Sequence, residues 1–142
     1  MRKVFQLRMP FQPIPSILLD KVLVNSGGVL IDAMRMLRGI CKRAVLEPGL
    51  IIDDDVIEEE FQRLVDDYKF VFDKPVLWRK LAFMCKATDK QIIMTDDTLP
   101  ELLYKMIVIE YWDKKLWFDL HPAARKLYAQ CDQVIEQALR LQ

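Results

Sequence analysis

The chain is short of the residues that punctuate, cross-link or catalyse. Four glycines in 142 residues leave little room for flexible linker, and three of the seven prolines fall together in residues 10–15. Cys41, Cys85 and Cys131 are odd in number and widely spaced, so they make neither a disulfide framework nor a metal-binding pattern. Each sits beside apolar neighbours in a helical pattern and reads as a buried, reduced thiol. No apolar run reaches the roughly 18–20 residues that a membrane-spanning helix needs. The opening MRKVFQLRMPFQPIPS is broken by arginine and proline before a signal-peptide core can build. No membrane partner is expected, and the expected location is cytoplasmic or nuclear in type.

Histidine is scarcer still. His121 is the single residue whose ordinary titration lies near neutrality, and no Gly-x-Ser-x-Gly elbow or catalytic cysteine signature accompanies it. Standing directly before Pro122 at a helix start, it reads as a cap or packing group. Asp54 with Glu58, and Asp55 with Glu59, are i,i+4 carboxylate pairs that in principle suit a hard cation. They lack calcium-loop spacing, and a solvated helix face that complements the helix dipole explains them. Asn25-Ser26-Gly27-Gly28 precedes a helix but lacks the lysine of a phosphate loop and the third glycine of a dinucleotide fingerprint. It reads as a tight turn between helices. The expectation is a protein that is not an enzyme, with no cofactor and no metal.

What is present is charge, sorted into blocks, and helical periodicity. Lysine and arginine outnumber aspartate and glutamate by 8 to 2 in residues 1–45; the balance is 2 to 10 in 46–73, 5 to 1 in 74–90, and 6 to 8 in 91–142. Such blocks pair within the fold, across a dimer, or with a charged partner. The strongest pattern is Ile52–Phe72, where Ile57, Phe61, Leu64, Val65, Tyr68, Val71 and Phe72 recur at three- and four-residue steps. Asp53 or Asp54 can cap its start. Further helices are predicted over Ile17–Val24, capped by Ser16, and over Val29–Val45, stopped by Glu47-Pro48-Gly49. Two more are predicted over Val76–Ala87 and from Pro122 to the end. Ile92–Met94 reads as a short helical turn, with a strand nearly as well supported.

Two segments compete with a purely helical reading. Lys3–Met9 alternates as an edge strand or extended arm would, followed by proline-rich extension. Thr98-Leu99-Pro100-Glu101 has capping-box form, and its helix is expected to run to about Trp112 because Leu102, Leu103, Met106, Ile107 and Ile109 make a stripe. The competing reading is a hairpin turning at Asp113-Lys114-Lys115, weakened by the absence of glycine and asparagine there. The fold expected is one mainly α domain over residues 1–142: a compact bundle of about five or six helices with 1–15 as a basic, proline-rich arm. A short N-terminal strand or small β element is allowed.

Function follows from what these segments leave over. Val108, Trp112, Trp117 and Phe118 amount to more apolar surface than one helix stripe uses, and methionines add adaptable surface. The leading expectation is a protein–protein interaction protein, an adaptor, inhibitor or small subunit, that binds a protein partner or itself through this patch. The alternative is nucleic-acid binding through a basic helix stripe of Arg35, Arg38 and Lys42, with Arg43 beside it and Arg8 on the arm.

Overall fold

The computed structural model describes residues 15–72, 74–86 and 97–140, with side chains up to Cys131 in the last helix. Among them are six helices and one antiparallel hairpin, so the fold is mainly α with a small β element. The predicted strand at Lys3–Met9 and the turn at Ile92–Met94 lie outside the described residues. We number the elements α1 (Ser16–Asn25), α2 (Leu30–Leu46), α3 (Asp54–Lys69), α4 (Pro75–Lys86), α5 (Leu99–Tyr104), β1 (Val108–Asp113), β2 (Lys115–Leu120) and α6 (Pro122–Arg140). They fall into two units, Met1–Leu64 and Val65–Gln142, whose boundary lies within α3.

In the first unit α1 packs against α2. Leu18, Leu19 and Val22 of α1, Ala33, Met36, Leu37 and Ile40 of α2, and Val56, Ile57, Phe61 and Leu64 of α3 are buried. Helix α1 begins at Ser16 with Pro15 at the cap position, so Ser16 is not the cap its sequence suggested. Its C-terminus closes by two hydrogen bonds, Gly27 N–H to the Val24 carbonyl at 2.9 Å and Gly28 N–H to the Leu23 carbonyl at 3.1 Å. Gly27 sits at φ +59°, the left-handed conformation this closure requires. Helix α3 starts on Asp53, whose Oδ1 accepts the Val56 N–H at 3.1 Å.

Gly39 has a packing role inside α2. A Cβ there would collide with the Glu60 carboxylate. Glu60 is buried, and its Oε1 accepts a hydrogen bond from Arg63 at 2.5 Å. The helix tolerates a poor helix former because its neighbour's carboxylate needs the space.

The second unit carries the main correction. Helix α5 stops at Tyr104 instead of continuing to Trp112, and residues 108–120 form the hairpin. The closure repeats that of α1: Met106 N–H donates to the Leu103 carbonyl at 3.0 Å, and Ile107 N–H to the Leu102 carbonyl at 2.9 Å. Met106 takes φ +55° with a full side chain. Its carbonyl accepts the Tyr68 hydroxyl at 3.2 Å, and Lys105 Nζ reaches the Val71 carbonyl at 3.2 Å. Tertiary hydrogen bonds thus support a backbone shape that the local sequence disfavours. The hairpin turns at Lys114, also left-handed at φ +57°, without glycine or asparagine.

The ladder then runs into α6. His121 N–H donates to the Ile107 carbonyl at 2.9 Å, extending the pairing beyond Val108 and Leu120. The fully buried His121 ring stacks on Tyr68 at 4.6 Å, and its Nδ1 accepts the Ala123 N–H at 3.1 Å. The single histidine is therefore the N-cap of α6, with Pro122 at the first helical position. Leu77, Leu81 and Met84 of α4, Leu102 of α5, and Ala123, Ala124 and Leu127 of α6 are also buried, and α4 packs on α6.

Candidate interaction surfaces

The hairpin register decides the fate of the expected aromatic patch. Pairs directly opposite share a face, so Val108–Leu120, Glu110–Phe118 and Trp112–Leu116 lie on one side. Ile109–Asp119 and Tyr111–Trp117 lie on the other. Val108 and Phe118 are buried and withdraw from any partner surface. Trp112, 77% exposed, and Trp117, 39% exposed, point to opposite faces, and Trp117 stacks on Tyr111 at 4.3 Å. The four residues do not form one surface, because two of them are buried and the register places the two tryptophans on opposite faces. Burial, with the charge of Asp119 second, raises the Tyr111 pKa above its ordinary 10.0.

The basic stripe is also thinned by geometry. Arg35 Nη1 lies 3.4 Å from Oδ1 of the buried Asp32, and Arg43 bridges Glu47 (3.4 Å) and Glu59. Desolvation works against the Arg43 charge, but its bonds to Glu47 and Glu59 outweigh it and raise the pKa. Part of the basic block therefore pairs with acidic neighbours inside the first unit. Arg38 and Lys42 are exposed and have no ion-pair partner among the described residues. Arg8 lies outside the described residues. Around Arg38 and Lys42, the same exposed face of α2 carries Ile31, Met34 and Val45.

A feature that the charge blocks did not reveal lies between α1 and α3. An open groove of about 600 Å³ is lined by Ile17, Asp20, Lys21, Val24 and Asn25 of α1 and by Asp54, Asp55, Ile57 and Glu58 of α3. Ile17 is 67% and Val24 70% exposed. Four carboxylates and a single lysine line it, and that lysine is paired with Asp54. The groove is apolar along α1 and acidic along its rim. A signal was present in the sequence: Ile17 and Val24, seven positions apart, fall on the side of α1 opposite Leu18, Leu19 and Val22. A helix apolar on two opposite sides has more apolar surface than one core uses.

Other chemistry is sparse. The three cysteines are free and half-buried, more accessible than their apolar neighbours suggested. Among the described residues no group of three or more histidine, cysteine, aspartate or glutamate side chains could hold a metal ion. None of the described helices is long and apolar enough to cross a membrane. In the second unit Phe70, on the turn after α3, and Tyr104, the last residue of α5, are 85% and 88% exposed. The next residues, Val71 and Lys105, are joined by a hydrogen bond. Comparison with family models, with curated proteins and with solved structures finds no match.

Proposed function

We propose that this chain is a non-enzymatic interaction module whose α1–α3 groove receives a basic amphipathic helix of a protein partner. One observation carries the reading: Ile17 and Val24 stand mostly exposed along a groove whose rim holds Asp20, Asp54, Asp55 and Glu58. Burying the exposed part of each of those aliphatic side chains contributes about 1–2 kcal/mol before the cost of association is subtracted. The acidic rim selects a cationic partner and speeds encounter more than it adds affinity. A helix with leucines on one face and lysines beside them meets both requirements.

A labelled leucine–lysine amphipathic peptide of about 18 residues, long enough to hold a helix, tests this by fluorescence anisotropy. The double variant D55K/E58K is expected to weaken binding about tenfold or more, equivalent to 1.4 kcal/mol. Equal affinity for wild type and variant rejects the groove as the site.

Nucleic-acid binding is the weaker reading. With Arg38 and Lys42 as its cations, about two phosphate contacts predict a salt slope near −1.4 to −1.8, too shallow for tight association at physiological salt. A markedly steeper slope with DNA or RNA would reverse the ranking.

A further inference from the structure

We infer that a second copy of this chain supplies the groove's occupant, through the basic, apolar face of its α2; the inference rests on the groove being a docking site. The two surfaces are complementary in kind. The groove offers Ile17 and Val24 under an acidic rim, and the α2 face offers Ile31, Met34 and Val45, exposed by 51%, 45% and 79%, around Arg38 and Lys42. The charge spacing is also similar. Arg38 to Lys42 is a rise of about 6 Å along α2, and Asp55 to Glu58 a rise of about 4.5 Å along α3. Arg35 and Arg43 already serve carboxylates of their own chain, so Arg38 and Lys42 are the cations this face presents.

A helix ridge set between two helices is ordinary packing geometry. The contact joins unlike surfaces, so it is made either reciprocally in a closed pair or ring or head to tail in a longer assembly, and both exceed the monomer mass. The charges are solvent-exposed, so raised salt weakens the association without abolishing it.

Light scattering on the full chain, over a wide range of protein concentration, tests the inference. Wild type is expected to exceed the 16.8 kDa monomer increasingly as concentration rises. R38E/K42E alone and D55K/E58K alone are each expected to remain monomeric, because each meets like charge with like. Mixed in equal amounts, the two variants restore both pairings and regain mass. R38E/K42E alters only exposed positions of α2, and a thermal melt of each variant is the check that it is folded. A wild type that stays at 16.8 kDa at every concentration, yet binds the leucine–lysine peptide, overturns the inference and leaves the groove reading standing. Folded variants that assemble alone, or fail to reassemble when mixed, overturn it as well.

Discussion

The C-termini of α1 and α5 close with the same pair of hydrogen bonds and with different residues in the left-handed position, Gly27 in one and Met106 in the other. At Gly27 the residue itself permits the turn. At Met106 the turn is disfavoured by about 1–2 kcal/mol for a residue with a Cβ, and support comes from elsewhere. Tyr68 bonds the Met106 carbonyl, Lys105 bonds the Val71 carbonyl, and the His121 backbone holds Ile107 in the hairpin ladder. A helix stop written in local chemistry is legible in the sequence. One imposed by hydrogen bonds that span 34 to 38 positions is not.

Substitutions at these two ends separate local from tertiary control. His121→Ala is expected to have the largest effect. It removes the α6 cap and the Tyr68 stack and leaves a cavity, at a cost of about 3 kcal/mol, read as a lower urea midpoint. A change below about 0.5 kcal/mol would show that the second helix end does not depend on this ring.

Gly27→Ala comes next. A methyl group at φ +59° is expected to destabilise the chain by about 1 kcal/mol. Met106→Gly should do the opposite: relief of the left-handed strain exceeds the loss of a side chain that is 42% exposed, for a net gain of about 0.5 kcal/mol. Opposite signs in denaturant titrations would sharpen the comparison. Equal signs would break it.

The smallest effect lies on the hairpin and appears only in alkali. Tyr111 has its pKa raised in the folded state, so the neutral phenol is the form that folding favours. The stability linked to it is fully present below pH 10.0 and is lost as pH rises through the folded-state value. Tyr111→Phe is therefore expected to flatten the fall in stability above pH 10.0, seen by comparing thermal melts across that range. An unchanged alkaline profile would remove Tyr111 as its source.

The helices announced themselves where one chemistry repeated at one period. The stripe from Ile57 to Tyr68 and the acidic opening at Asp53 placed α3, and Gly27 with Gly28 placed the end of α1. The hairpin defeated that reading because Leu102, Leu103, Met106 and Ile107 fit a helical stripe as well as they fit a helix end followed by a strand. The expected patch failed with it. Val108 and Phe118 are buried, and pairing of Tyr111 with Trp117 sends the two tryptophans to opposite faces. The basic stripe was visible as a stripe, but which of its members were already taken by Asp32, Glu47 and Glu59 was not.

Composition and periodicity by themselves determined a mainly α chain with acidic and basic surfaces and no evident catalytic constellation. Tertiary structure alone decided where α5 ends, which aromatics are buried, which arginines remain open, and that Ile17 and Val24 line a groove beside four carboxylates. The division has one physical cause. Helix propensity and periodicity act between residues three or four positions apart and can be read along the chain, whereas a register, an ion pair between helices or a groove depends on residues that only folding brings together.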